Sequence, residues 1–213
     1  IPHFNVMDDP ADIRAFVTAV GSAELVTVAA NGTPVATLLP ILWSEDAGTL
    51  VMHMARANAH WKVVARSSRA LAIVAGPQAY ISPGWYASKA EHGRVVPTWN
   101  YSSVHLTGTV TVHDDPRWVR RAVTDLTDRH EHLREAPWAV TDAPPAFVGT
   151  MLKAIVGIEM TVERVEAKAK LSQNRSDADH DGVVEGLRSE GARREAEIAD
   201  AMSALRRPPP SPR

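Results

Sequence analysis

The 213-residue chain contains no cysteine. That absence excludes disulfide bonds, thiolate metal sites, iron–sulfur clusters and a cysteine nucleophile. A chain without disulfides suits a reducing compartment, so we expect a cytoplasmic protein. Aromatic residues are also scarce, at 6% of the sequence, whereas apolar residues make up 45% and charged residues 23%. This balance is typical of a globular chain that buries a full core.

Long apolar runs and a strong excess of either charge are lacking as well. No apolar stretch approaches the ~20 residues that a transmembrane helix needs, and no charged-then-apolar leader opens the sequence, so no membrane association is expected. The 23 basic and 25 acidic side chains leave a net charge of −2. Because DNA-binding proteins concentrate positive charge, we expect no direct nucleic-acid binding.

Several familiar catalytic and nucleotide-binding motifs are missing too. The sequence has no GxGxxG, GxxxxGK, GxSxG or HExxH, which removes the usual signals for dinucleotide, triphosphate, esterase and metalloprotease sites. His130 and His132 stand two positions apart in a helical pattern, and on a helix that spacing points them to different sides. A solvated helix face therefore explains these histidines more simply than a metal site.

The hydrophobic pattern indicates a protein that is mainly β with flanking helices, an α+β fold. Asn31-Gly32 is the strongest hairpin signal, and it joins two predicted strands, 25–30 and 34–43. Strands that follow one another through short turns, with helices inserted late, favour an antiparallel barrel over a doubly wound sheet. The other predicted strands are 49–55, 70–76, a short one near 80, 98–113 and 157–170. Helices are predicted from Pro10, after Asn58, from Pro116, from Asp142 and over 186–207.

The scarce aromatic residues are concentrated in one stretch. Residues 80–105, YISPGWYASKAEHGRVVPTWNYSSVH, hold all three tyrosines and two of the six tryptophans. A core strand needs only apolar alternation, so this density indicates a wall built for a flat ligand. Within PTWNY, alternation turns Thr98 and Asn100 to one side and Trp99 and Tyr101 to the other. One face could bond the heteroatoms of a ring while the other packs, or the segment is a strand with a polar rim.

A second candidate segment is MHMARANAHWK, where a strand ending near His53 leads through Arg56 into a helix that Asn58 caps. Free N–H groups at a helix start favour an anion, and Arg56 with Lys62 could close on a phosphate. The alternative is that Asn58 is only a cap and Trp61 only a core anchor.

A third polar segment ends the last predicted strand. KLSQNR, residues 170–175, places five polar residues where a strand normally gives way to a turn. Alone it would be a surface loop. Together with the other two segments it is interpreted as the third side of a pocket.

These segments carry a resemblance to a known family. HMARANAHW, AYISPGWY, VPTWNY, IVGIEM and KLSQNR, in this order and spacing, resemble the PaiB family of FMN-binding negative transcriptional regulators. The resemblance runs from IPHF at the start to about residue 190. It implies the FMN-binding split β-barrel fold of flavin reductases and pyridoxamine-phosphate oxidases. It also implies a homodimer that binds FMN at its interface, with an oxidoreductase or regulatory role.

The resemblance also assigns cofactor contacts position by position. The implied set comprises the phosphate ligands Arg56, Asn58 and Lys62, the ring-lining Thr98, Asn100 and Tyr101, the closing residues Ser172, Gln173 and Asn174, and beside them His53, Trp61 and Trp99. The implied domain organisation is a split-barrel cofactor-binding domain over 1–175, a charge-rich C-terminal helical extension over 176–207 and a disordered proline-rich tail over 208–213.

Two features leave the identity of the cofactor undecided between FMN and haem at this point. Leu38, in TLLP, stands where family members often have a pocket histidine, in THLP. Piperazate synthases resemble this family and use haem, so the alternative is a haem-dependent enzyme or haem-binding protein of the same fold. Neutral imidazole suits iron and no cysteine competes, which makes His53 or His60 the candidate axial ligand. His53 is favoured because strand alternation fixes its direction; the non-metal alternative is that it bonds backbone or a flavin phosphate.

Overall fold

A computed structural model describes residues 1–66 and 69–205. These residues form six β-strands and seven α-helices, with short 3-10 turns at His3–Asn5, Pro83–Trp85 and Val140–Asp142. In chain order the elements are α1 Pro10–Val20, β1 Ser22–Val28, β2 Pro34–Ser44, β3 Thr49–Ala55, α2 His60–Val64, β4 Arg69–Ile81, α3 Ser88–His92, β5 Thr98–His113, α4 Pro116–Glu131, α5 Pro145–Leu152, β6 Ile155–Lys170, α6 Asp177–Ser189 and α7 Arg193–Ala204. The tail predicted for 208–213 lies outside the described residues.

The six strands close into a barrel in the order β1-β2-β3-β6-β5-β4. Strand β1 pairs antiparallel with β2 and β4, and β3 pairs antiparallel with β2 and β6. The β1–β2 hairpin turns at the predicted position, where Gly32 has a φ of +84° and the Thr33 N–H donates to Asn31 Oδ1 at 3.1 Å. The prediction of an α+β fold built on an antiparallel barrel is confirmed.

Strands β3 and β5 have the predicted bounds, because both alternate cleanly between buried and more exposed positions. On β3 the side chains of Leu50, Met52 and Met54 are buried, which leaves Val51 and His53 on the opposite face. The two strands predicted near 70–76 and 80 are one long strand, β4. The segment predicted to be helical over 186–207 forms the end of α6 and all of α7, which are separated at Gly191 with a φ of +71°. Its residues 206–207 lie outside the described residues.

Two predicted helix starts have different outcomes. Asp115 caps α4 as predicted, since its side chain accepts from the Arg117 N–H at 3.0 Å. The start predicted at Asp142 is wrong, because α5 begins at Pro145. The Asp142 carboxylate instead accepts the Ala139 N–H at 2.8 Å, which closes a 3-10 turn before the helix.

The chain divides into two compact units. The larger unit comprises Pro10–Val74 and Val104–Glu166, and the smaller unit comprises Ile1–Asp9, Ala75–Ser103 and the described residues from Ala167 on. The buried core of the larger unit includes Leu25, Leu50, Met52, Leu106, Ile158 and Met160. That of the smaller unit includes Ile81, Tyr86, Leu171, Val183, Leu187 and Met202. The predicted boundary after residue 175 stays a prediction.

Membrane crossing can be checked for the helices that the structure describes. None of them combines the length and the apolar character that crossing a membrane requires.

Candidate functional site

The predicted phosphate segment forms a corner of the larger unit, which we call the β3–α2 corner and define by His53, Arg56, Asn58, Trp61 and Lys62. Trp61 organises it, because its indole N–H donates to the Arg56 carbonyl oxygen at 2.9 Å. The Arg56 guanidinium carbon lies 5.8 Å from the Trp61 ring centroid, and Lys62 Nζ lies 5.7 Å from it. Both distances are within the range of cation–π contacts. The corner therefore places two positive charges beside one aromatic ring.

Arg56 is already engaged by protein groups. Its two terminal nitrogens bond both carboxylate oxygens of Asp114, with Nη1 to Oδ2 at 3.2 Å. Its Nε donates to the Lys153 carbonyl at 3.0 Å, and Nη2 also donates to the Ile155 carbonyl at 3.2 Å. The hydrogen bond from Arg56 lowers the pKa of Asp114 and raises that of Arg56 itself. Most of the five guanidinium donors are thus occupied.

A buried polar network fixes the start of α2. The Asn58 side chain accepts the His60 N–H at 3.0 Å and donates to Thr37 Oγ1 at 3.2 Å. His60 is only 3% exposed, and its ring bonds Thr37 Oγ1 through Nδ1 at 2.8 Å and Thr27 Oγ1 through Nε2 at 2.7 Å. Burial lowers the pKa of His60, which favours the neutral ring. His60 is therefore a structural histidine with both ring nitrogens in use.

His53 differs from His60 in having a free ring nitrogen. Its Nδ1 is buried and has no hydrogen-bond partner among the described residues. Burial lowers the pKa of His53 as well, so the neutral imidazole is favoured. Its partner across β3 and β6 is Gly157, on which the ring of Trp118 packs. Among these two candidates only His53 has an imidazole nitrogen that could bind a metal without losing a protein hydrogen bond.

The ring-lining segment lies at one end of β5 and β6 in the smaller unit. We call this region the β5–β6 end and define it by residues 98–101 and 168–174. Lys168 Nζ donates to the Tyr101 hydroxyl at 2.5 Å and lies 4.7 Å from the centroid of that ring. Lys170 Nζ donates to Thr98 Oγ1 at 2.6 Å. Two lysines therefore stand against two of the side chains assigned to the ring.

A second, buried polar group occupies the same end. Asn100 is 0% exposed, and its Nδ2 donates to Ser172 Oγ at 3.0 Å and lies 3.4 Å from Met202 Sδ. Ser172 has a φ of 65°, a left-handed conformation that no other non-glycine residue adopts within 1–66 and 69–205. Strained backbone conformations cluster at functional sites. The observation supports a functional role for KLSQNR.

The remaining predicted residues have different surroundings. Gln173 folds back on its own strand, since its side chain accepts the Leu171 N–H at 2.7 Å. Asn174 is exposed. Trp99, 42% exposed, donates its indole N–H to Gln78 Oε1 at 3.0 Å and meets the ring of Tyr80 edge-on at 6.5 Å between centroids. The aromatic stretch therefore presents an accessible aromatic pair in addition to the buried Tyr86 and the half-buried Trp85 and Tyr101.

The structure groups the twelve predicted residues into these two clusters, five at the β3–α2 corner and seven at the β5–β6 end. Sequence reasoning missed Asp114, Thr37, Lys168 and Lys170, all of which bond predicted residues. The two lysines had a signal, because in VEAKAK they alternate on one face of a predicted strand. Asp114 carried no such sequence signal, because it is adjacent to the helix cap Asp115 and nothing in the sequence pattern distinguishes the two aspartates.

Comparison with known proteins identifies the family. Residues 1–164 match the family described as "Putative FMN-binding domain". The chain belongs to this family. The "Protease synthase and sporulation protein PAI 2" of Bacillus subtilis is 30% identical over 204 residues, which span 95% of each chain. The resemblance to the PaiB family is thereby confirmed.

Two solved structures share the fold. The FAD and haem binding protein of Mycobacterium smegmatis superposes with a TM-score of 0.60 at 17% identity, covering 80% of its chain and 85% of this one. The conserved hypothetical protein Rv2991 of Mycobacterium tuberculosis gives a TM-score of 0.57 at 14% identity, covering 89% of its chain and 80% of this one. These similarities confirm the split-barrel fold.

Proposed function

We propose that this protein is an FMN-binding split-barrel protein with an oxidoreductase or regulatory role. The observation that carries the proposal is the match of residues 1–164 to an FMN-binding family, on a chain whose strands close into the barrel of that fold. FMN, when bound, supplies electron and hydride transfer chemistry. The strained Ser172 and the aromatic stretch support a flat ligand at the β5–β6 end.

The β3–α2 corner supports a refined assignment of the phosphate ligands. The ammonium group of Lys62 is exposed and forms no hydrogen bond or ion pair with the described part of the chain, so it can meet a phosphate directly. Arg56 can turn both of its terminal nitrogens to the phosphate only if it releases Asp114. In this proposal Lys62 is the principal phosphate ligand, and Asp114 competes with the phosphate for Arg56.

The first test compares FMN with riboflavin, which lacks the phosphate. Lys62→Ala is expected to weaken FMN binding by about 1.5–3 kcal/mol, the usual strength of a hydrogen bond to a charged group, and to leave riboflavin binding unchanged. Arg56→Ala is expected to act in the same direction. Asp114→Asn is expected to tighten FMN binding by releasing Arg56, again without effect on riboflavin. Quenching of flavin fluorescence measures all of these affinities.

The outcome for riboflavin decides the assignment. If Lys62→Ala weakens both ligands equally, Lys62 does not contact phosphate. If Asp114→Asn weakens FMN, then the Arg56–Asp114 pair is a structural element of the corner and does not compete with the ligand.

Haem binding is a second candidate function, favoured by the free Nδ1 of His53. If the protein binds hemin, His53→Ala is expected to abolish the saturable Soret band. His60→Gln is expected to retain it, because both ring nitrogens of His60 bond threonines. Absorption titration with hemin measures both variants. A Soret band that persists in His53→Ala, or a parent protein that shows no specific band, would remove His53 as an iron ligand.

Assembly and partners form the last part of the proposal. We propose a homodimer, because cofactor-sized ligands are usually buried over most of their surface, whereas Lys62, Trp99 and Asn174 are exposed in the single chain. The balance of 23 basic and 25 acidic side chains supports an absence of direct DNA binding. Light scattering on the flavin-titrated protein, with a 23.1 kDa chain as reference, reports the assembly state in the same experiment.

A further inference from the structure

A cavity of about 690 Å³ lies against α4 and α5 in the larger unit. We call it the α4–α5 cavity. Its apolar lining includes Val119, Leu152 and Ile155, which belong to or pack against a small core of the same unit. The volume is within the ~300–1,000 Å³ typical of small-molecule sites. Of the residues assigned to flavin only Arg56 lines it, together with its partner Asp114, so the cavity borders the β3–α2 corner and is otherwise formed by different residues.

The lack of a side chain at Gly149 contributes to the opening of this cavity. Gly149 lies within α5, lines the cavity, and would have no atom within 4 Å of an added Cβ. Opposite it, α4 presents Arg117, Arg120, Arg121 and Thr124 at the three- and four-residue spacings that bring side chains to neighbouring positions on a helix. A residue with a side chain at position 149 would project into this space.

The charge of the lining is strongly positive. Five cationic side chains and two carboxylates line the cavity, whereas the whole chain carries a net charge of −2. Four of the cations, Arg117, Arg120, Arg121 and Lys153, have no hydrogen-bond or ion-pair partner for their side chains in the part of the chain that the structure describes. The fifth, Arg56, is held by Asp114. Guanidinium groups without a protein partner, next to an apolar lining, suit a ligand that has both an anionic group and an apolar part.

We propose that the α4–α5 cavity binds a small organic acid, a carboxylate with an aliphatic or aromatic body. The carboxylate meets the arginines of α4, and the body covers Val119, Leu152 and Ile155. A bare inorganic anion would leave the apolar lining exposed to water, and a neutral apolar compound would leave the guanidinium groups unpaired. The chemistry of the lining therefore selects for a combined ligand.

The test uses 8-anilinonaphthalene-1-sulfonate, a fluorescent aromatic anion, as the probe and octanoate as the competitor. The parent protein is expected to bind the probe at one saturable site, from which octanoate but not octanol displaces it. Affinity is expected to fall with rising salt, because charge contributes to it. Gly149→Leu is expected to weaken probe and octanoate strongly, because its side chain would occupy part of the cavity between α4 and α5. An added Cβ has open space at this position, and a thermal melt verifies that the leucine variant is folded.

The charge contribution is tested by a matched pair of variants. Arg120→Gln is expected to weaken probe and octanoate about tenfold or more, as the loss of a charge-assisted hydrogen bond does. Arg94→Gln removes a charge from an exposed arginine of the smaller unit and should change neither affinity. Equal weakening in both variants would mean that only net charge matters and would overturn the proposal.

A parallel FMN titration separates this inference from the proposed function. Gly149→Leu is expected to leave FMN affinity unchanged while octanoate binding is strongly weakened. If Gly149→Leu abolishes FMN binding, the cavity is part of the flavin site and the proposal of a separate acid site is wrong. If the parent binds octanoate at this site and not FMN, the proposed function fails and the acid site stands. A probe signal that Gly149→Leu does not reduce would overturn the acid site alone.

Discussion

Replacing Gly108 with alanine is expected to lower the free energy of unfolding by about 3 kcal/mol or more, at or above the top of the usual range for overpacked cores. A Cβ at this position of β5 would lie 1.9 Å from the carbonyl oxygen of Thr161 on β6 and 3.2 Å from Met160 Cγ. The nearer atom belongs to the backbone of a neighbouring barrel strand, so it cannot move aside as a flexible side chain would. The two strands would have to separate locally.

Gly149→Ala provides the matched control, because it makes the same chemical change where the added methyl has open space. Alanine inside a helix is favoured over glycine by roughly 0.5–1 kcal/mol, so this variant should be slightly more stable than the parent. Urea denaturation measures both. A Gly108→Ala protein with an unchanged midpoint would show that β5 and β6 do not approach as closely at this point as the structure has them.

Gly108 also illustrates what the sequence could and could not predict about the fold. The bounds of β3 and β5 follow from alternation, and the β1–β2 hairpin follows from Asn31-Gly32, since these signals are local. The close approach of Thr161 to Gly108 depends on the pairing of β5 with β6, a contact between residues far apart in sequence. Within the sequence, Gly108 only interrupts a strand pattern, which indicates a close backbone approach in general without naming the partner.

The candidate site likewise has features that the sequence could predict and features that depend on contacts between distant residues. The motifs MHMARANAHWK, PTWNY and KLSQNR could be located from residue types at strand ends, and the structure gathers each into a compact group. The partner that occupies Arg56 could not be predicted, because Asp114 lies 58 positions away and its role depends on the loop between β5 and α4. The same applies to the strain at Ser172, which depends on backbone geometry that no residue type specifies.

Removing the imidazole of His60 is expected to lower the free energy of unfolding by about 3 kcal/mol. His60→Ala would eliminate two side-chain hydrogen bonds and leave a cavity in the β1–β2–α2 region. The Thr27 hydroxyl would lose its hydrogen-bond partner, and because Thr27 is only 2% exposed, bulk water could not replace that partner. Stranding one buried polar group destabilises a protein by about 1–3 kcal/mol, and the lost packing of a large side chain adds to this. Chemical denaturation at neutral pH measures the difference.

Acid should destabilise the parent protein through the same residue. Burial lowers the pKa of His60 below the ordinary value of 6.5, so the unfolded chain binds a proton more readily than the folded one. The stability from the neutral ring is therefore fully present above the unfolded pKa and is lost as the pH falls below it. The pKa of His53 is lowered by burial as well and contributes in the same direction.

His60→Gln isolates this contribution, because glutamine retains donor and acceptor groups for the threonines and does not titrate. Between about pH 7.5 and about pH 5.5, where histidines change charge, it is expected to lose less stability than the parent. His130→Gln, at an exposed position, should follow the parent curve. If His60→Gln loses as much stability in acid as the parent, the neutral ring of His60 is not what couples folding to pH. His53→Gln then tests the contribution of His53, whose pKa burial also lowers.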